Sequence, residues 1–266
     1  MLDYAIGPYQ GKETGEHALL RTILECFSRG DIMLADRYYC TYFLIAMLQS
    51  MGVDAVFQQH GSRKSDFRRG QRLGIKDHLT TWTKPPRPDW MDEQTYLAIP
   101  QTLTVREIKS DGKVIVTTIL DPKQATRKEI AKLYSQRWLV EVDLRSIKET
   151  LQMGVLRCKK PEMVRKEISV HFIAYNLVRT VMAQAALRKG ISPRTISCKG
   201  TIQTLNAFRT RISLVDDDKL PAFFEALLDA VAGHRVGNRP GRREPRAVKR
   251  RPKRHPLLSI PRSQAA

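Results

Sequence analysis

The spacing of apolar positions divides the chain into short strands and longer helices. Residues 16–27 carry apolar side chains at helical intervals, Ile32-Met33-Leu34-Ala35 is a short apolar run that stops at Asp36, residues 38–51 return to the helical period with Gly52 at their end, and residues 53–57 form a second short run. Strand, helix and strand in so short a stretch predict a βαβ crossover with parallel strands. Asp36 then falls at the carboxyl end of a strand, where open α/β sheets place their ligands. Residues 103–108 and 114–120 alternate apolar and polar about Asp111-Gly112, which predicts a hairpin. After Pro122 the helical period holds to about Leu151, a second long helix is predicted over 162–189 before Gly190, and residues 195–212 give one more. Residues 58–95 break both periods, with Arg63, Lys64, Arg68, Arg69, Arg72 and Lys76 set among glycines and three prolines between Trp82 and Trp90. They are expected to be a basic, irregular insertion.

Charge changes the picture next. The 266 residues hold 46 Lys and Arg against 27 Asp and Glu, a net charge of +19, and the 42% hydrophobic content is enough for a packed core. Such an excess repels itself unless a polyanion binds it, so nucleic acid is the leading partner. The excess is uneven: residues 233–266 have eleven Lys and Arg and one Glu, Pro- and Gly-rich and without apolar period, and are expected to be a disordered basic tail. Cys26, Cys40, Cys158 and Cys198 show no C-x-x-C pair or zinc-type spacing and are expected to be reduced thiols. No run is long and apolar enough to predict a membrane span and no secretory leader is visible, which predicts a cytoplasmic protein.

The chemistry concentrates on one predicted helix, residues 127–151. At about 100° per residue, Tyr134, Arg137, Glu141 and Lys148 fall within roughly 60° of one another, and Leu133, Val140, Leu144, Ile147 and Leu151 form an adjacent apolar stripe expected to pack on the sheet. Asp143 lies on the opposite side, which leaves Glu141 as the acid expected to meet Asp36. A strand aspartate facing a helix glutamate suits divalent-metal phosphoryl transfer, because Mg²⁺ takes one or two carboxylates plus phosphate and water. Arg137 and Lys148 suit flanking phosphates, and Tyr134 suits a phosphate or a base. Arg68 and Arg69 in the insertion and Arg250 and Arg251 in the tail are further candidate nucleic-acid contacts. The plainer alternative is that Glu141 pairs with Arg137 and Arg145 as a surface network.

The spacing Tyr134-x2-Arg137-x3-Glu141-x6-Lys148, with Leu34-Ala35-Asp36-Arg37-Tyr38, resembles DDE transposases of the insertion-sequence-four family over roughly residues 1–215. The resemblance implies an α/β fold, an RNase H-like mixed sheet with helices on both faces interrupted by a strand-rich insertion. It gives Asp36 and Glu141 catalytic and metal-binding roles with Mg²⁺ or Mn²⁺. It implies double-stranded DNA, element ends and target, as partner, a homodimer in the full-length family, and a bacterial, nucleoid-associated setting. By analogy Trp82 or Trp90 is a candidate to stack on a flipped base, against the plainer identity of a core tryptophan.

The expected organisation is a partial RNase H-like core over 1–57, the basic insertion over 58–122, the core continuation with the Glu141 helix and carboxyl-terminal helices over 123–232, and the tail over 233–266. The family's first aspartate, usually in an Asp-Gly-Thr-like strand, has no counterpart, and Asp3 is the only carboxylate in the first twelve residues. The expectation is therefore an amino-terminally shortened copy that lacks the sheet's first strands. Whether it is an enzyme stays open at this point. One reading is a transposase performing metal-dependent strand cleavage and transfer; another is a non-catalytic DNA-binding remnant that inhibits the full-length enzyme. An RNase H-like nuclease unconnected with mobile DNA fits the carboxylates but not the Tyr/Arg/Glu/Lys spacing.

Overall fold

The computed structural model describes residues 3–8, 10–11 and 14–237. Six strands form one mixed sheet in the order β1-β2-β6-β5-β4-β3. β1 (Ile32–Ala35) and β2 (Asp54–Gln58) run parallel, in register from Ile32 with Asp54 to Ala35 with Phe57. Between them lies α2 (Tyr42–Ser50), so the predicted crossover forms. It starts later than the apolar period suggests because residues 38–40 turn first: Tyr38 N donates to Asp36 Oδ1, and the Thr41 side chain caps the helix by accepting from Leu44 N.

The predicted hairpin is β5 (Thr102–Ser110) with β6 (Lys113–Thr117), and Asp111 and Gly112 take φ of 48° and 75°, the left-handed pair that matches the strand twist. The insertion is more ordered than its mixed periods predict. It supplies β3 (Gln71–Gly74), β4 (Asp77–Thr83) and α3 (Glu93–Ala98), and all four antiparallel strands extend the parallel pair through β6 on β2.

Alternation along each strand divides the core between the two faces. Met33, Ala35, Ala55, Phe57, Leu103, Val105 and Val116 pack on the α2 side. Val56, Ile108 and Ile115 pack on the other side with Ile130 and Tyr134 of α4 (Arg127–Ser135). Helices thus cover both faces. β1 is a terminal strand of the sheet, and its first residue, Ile32, is 41% exposed. Residues 3–8 form no strand, and Tyr4 packs edge-on against Phe172.

Two predicted helices are revised. Residues 16–27 form α1 (Glu16–Arg21) and a short 3-10 turn, Leu24–Cys26, divided at the β-branched pair Thr22-Ile23. Residues 127–151 are three pieces: α4, α5 (Trp138–Arg145) and a π turn, Ser146–Thr150. The break after α4 coincides with Ser135 Oγ donating to Lys132 O and with tight bonds from Gln136 N to Leu133 O and Arg137 N to Tyr134 O. Ile147 is fully buried as expected, but Val140 and Leu144 of the supposed packing stripe are exposed.

The remaining helices are α6 (Pro161–Arg188), α7 (Cys198–Ile212) and α8 (Leu220–Gly233). They share a second core built from Val178, Met182, Ala185, Leu227 and Val231. α6 matches its predicted span, while the helix expected over 195–212 begins at Cys198, after a 3-10 turn at Pro193–Thr195.

Candidate active site

The site grows from the carboxyl ends of the parallel pair. Asp36 follows β1 directly and is exposed, with one carboxylate oxygen accepting from Tyr38 N at 2.8 Å. One step beyond the Ala35–Phe57 register stands Gln58, whose Oε1 accepts from the Tyr134 hydroxyl at 3.3 Å. Tyr134 is 7% exposed, its ring a wall of the core under α4. Burial raises its pKa, the Arg137 guanidinium opposes the rise, and the charge of Asp36 adds to it.

Arg137 leads into α5 and donates from Nη2 to Glu141 Oε1 at 2.7 Å, four residues on. That bond holds the guanidinium above its ordinary range against the effect of burial, with further support from Tyr134 and from the charge of Asp36. Glu141 bonds this guanidinium directly, whereas Asp36, with 104 residues between it and Glu141 in sequence, reaches it only as the smallest of the charge effects. The pairing anticipated as the plain alternative is present for Arg137, but it sits inside this group rather than on an isolated helix face. Lys148 is exposed on the π turn, a local widening often found at functional positions. A cavity of about 240 Å³ lies beside Arg137, lined also by Trp138, Tyr134, Lys113 and the hairpin tip Asp111.

Asp143, expected away from the action, fastens the helix. It accepts from Arg194 Nη1 at 2.6 Å, and its carboxylate, beside Tyr175, adds to burial in raising that phenol's pKa.

The other predicted contacts lie elsewhere. Arg68 forms two bonds to Asp66, and Arg69 lies 3.5 Å from the same carboxylate. Arg69 also lines a cavity of about 330 Å³ with Arg63, Lys64, Gln59, His78 and Glu107. Trp82 is a core residue, 5% exposed, with its indole N–H donating to Glu107 and the Arg63 guanidinium 3.9 Å over its ring. Trp90 is partly buried against the same core and covered by Arg21 at 3.8 Å. Trp82 is closed to a base, while Trp90 also lines a cavity of about 200 Å³ with His17, Phe43 and Met47. Arg250 and Arg251 lie outside the described residues. Gln58 was not singled out in the sequence, although its place at the end of the strand beside Asp36 was the available clue.

Among the described residues no three His, Cys, Asp or Glu side chains gather where a metal ion could be held. Asp36 and Glu141 offer two carboxylates, a donor set that fits one hard cation completed by phosphate and water and falls short of a two-metal centre.

Strand-end aspartate, helix glutamate and mixed sheet define the class, and sequence comparison agrees: residues 1–177 match the family described as "Transposase DDE domain". The chain belongs to that family. It is 29% identical over 192 residues to "Transposase InsG for insertion sequence element IS4" of Escherichia coli (strain K12), an alignment covering 70% of this chain and 42% of that protein. The alignment thus spans less than half the length of that relative. No solved structure matches it. Among the described residues no helix is long and apolar enough to cross a membrane.

Proposed function

We propose that the chain works on the DNA of an insertion sequence, with Asp36 and Glu141 as carboxylates of a metal-dependent strand-cleavage and strand-transfer centre. The observation that carries this reading is geometric: Arg137 holds Glu141 at 2.7 Å, and Tyr134, one turn before Arg137, bonds Gln58 at the strand end beside Asp36 at 3.3 Å. Mg²⁺, or Mn²⁺ in its place, would be held by these two carboxylates, and when bound would stabilise charge on the reacting phosphoryl group. Arg137 orients Glu141 before substrate arrives and presents a fixed positive charge to a phosphate beside the scissile one. Lys148 adds a second, exposed positive charge. Tyr134 supports Gln58 at the strand end and keeps the floor of the site dry. Double-stranded DNA, element ends and target, is the substrate, and a dimer bridges two ends as in the full-length family.

A second reading has its own observation. With only two carboxylates at the site and no three-residue metal cluster among the described residues, the chain would bind DNA without cutting it and compete with complete transposases.

One assay separates the two: Mg²⁺-dependent nicking of supercoiled DNA by the full chain beside Asp36→Ala and Glu141→Gln. Nicking by the parent that is lost in both variants, with DNA binding retained, supports the catalytic centre. Binding without nicking in all three leaves the occupying role, and nicking that survives Glu141→Gln removes that residue from the chemistry.

A further inference from the structure

Helix α7 lies beyond the residues that match the transposase family, and its surface has a composition of its own. It contains Lys199, Arg209 and Arg211 and no Asp or Glu. At about 100° per residue, Lys199, Gln203, Asn206 and Thr210 fall within an arc of roughly 60°, and all four are exposed. Gly200, Thr201 and Thr204 are buried on the opposite side. Ala207 and Arg209, both exposed, flank the stripe. Among the described residues, Lys199, Gln203, Asn206, Arg209 and Arg211 form no intramolecular hydrogen bond or ion pair through their side chains.

The helix is firmly seated. Ser197 N donates to His234 O at 2.7 Å, and Val236 N donates to Thr195 O at 2.8 Å. Gly200 faces His234 so closely that a Cβ there would lie 2.7 Å from the imidazole side chain. The start of α7 is therefore tied to the end of α8. A second feature begins at this same point: the chain leaves Val236 for residues 238–266, whose sequence has ten Lys and Arg and one Glu.

These features specify the partner. A carboxylate-free helix beside the start of a strongly basic segment calls for a polyanion. Carboxamides at its centre call for more than charge, because Gln and Asn each offer a donor and an acceptor that match the N6 and N7 edge of adenine in the major groove. An acidic protein surface would be met by Lys and Arg alone, and the major groove of duplex RNA is too deep and narrow to admit a helix. We propose that α7 enters the major groove of double-stranded DNA and reads base edges through Gln203 and Asn206, with Lys199, Arg209 and Arg211 on the adjoining backbone. The interface is independent of the carboxylate centre and of any metal there.

The test uses the full chain and 20-base-pair duplexes of randomised sequence. The parent enriches a preferred sequence and protects its guanine N7 positions from methylation. Gln203→Ala/Asn206→Ala lowers affinity for the enriched duplex by at least about tenfold, brings it to the level of a scrambled duplex, and keeps the salt dependence. Arg209→Ala/Arg211→Ala weakens binding to every duplex and reduces the slope of log K against log salt by about 2. All four positions are exposed, and unchanged thermal unfolding of each variant confines the result to binding. Lack of enrichment by the parent, equal affinity of parent and Gln203→Ala/Asn206→Ala for the enriched duplex, or equal binding to RNA of the same sequence would overturn the proposal. The readout is binding alone, so a chain that fails to nick DNA still answers it.

Discussion

Arg194 donates to Asp143 across 2.6 Å, and this pair fastens the helix that carries Glu141 to the carboxyl-terminal helices. The arginine side of the pair is 41% exposed, where an ion pair contributes no more than about 1 kcal/mol. Asp143 also lies beside Tyr175, where its charge adds to burial in raising the pKa of the phenol. Asp143→Ala and Arg194→Ala are therefore expected to lower the melting temperature by similarly small amounts. A shift of several degrees in either variant, read by calorimetry, would show that the pair contributes more than a part-exposed ion pair does.

A stronger dependence is expected within the sheet. Arg106 is fully buried and donates from Nε and Nη2 to the two oxygens of Asp77, at 2.8 and 2.6 Å, while its Nη1 donates to Ala125 O just before the cap of α4. The fork couples β4 and β5 to the start of the helix that presents Tyr134. Breaking such a buried pair from one side costs about 3–5 kcal/mol, so Arg106→Ala should lose that much in urea unfolding. Arg106→Lys should not recover it, since an ammonium cannot reproduce the planar fork.

These two pairs show what the sequence could and could not convey. Asp36 and the parallel strands were legible because short apolar runs separated by a helical period admit few arrangements, and Asp111-Gly112 announced its hairpin through the backbone those residues adopt. The order within residues 58–95 was hidden because β4 buries charge: Asp77 and His78 are each at most 5% exposed and pair with Arg106 and Glu107, which are as deeply buried, on β5. A pattern rule reads such residues as surface or loop. They are satisfied by partners outside their own strands, Arg106 by Asp77 and Ala125 O, and Glu107 by His78, Trp82 and Gln59. The break between α4 and α5 was equally hidden, since no Gly or Pro marks it, and with it went the outward turn of Val140 and Leu144. At the site, the Tyr/Arg/Glu/Lys spacing was legible along one helix, but the bond from Tyr134 to Gln58 depends on packing between distant segments.

Cys40 gives a prediction with a definite pH window. The thiol is 2% exposed, and burial pushes its pKa from 9.0 up to about 12, against opposing effects from the His60 backbone and Arg63 and with a small addition from Glu107. A raised folded-state value means that its stabilising contribution is complete below pH 9, the unfolded value, and disappears as pH rises through about 12. At pH 8 the native protein should therefore resist iodoacetamide at Cys40, while a sample unfolded in urea reacts fully. Peptide mass spectrometry reads the site, and native labelling as fast as that of the unfolded chain would contradict the burial.

The basic terminal stretch permits a prediction that separates charge from selectivity. Residues 238–266 contribute +9 of the net +19, and truncation after Gly237 keeps the bonds that Ser197 and Val236 make to seat α7. The shortened chain should unfold at nearly the same temperature as the parent. Each phosphate that the segment neutralises adds about 0.9 to the slope of log K against log salt, so truncation should flatten that slope by several units. An unchanged slope would mean that residues 1–237, which keep +10, neutralise the backbone by themselves. Because base edges specify and phosphates position, truncation should weaken binding to preferred and scrambled duplexes alike, whereas Gln203→Ala/Asn206→Ala should erase the difference between them. Loss of the preference on truncation alone would instead assign the reading of sequence to residues 238–266.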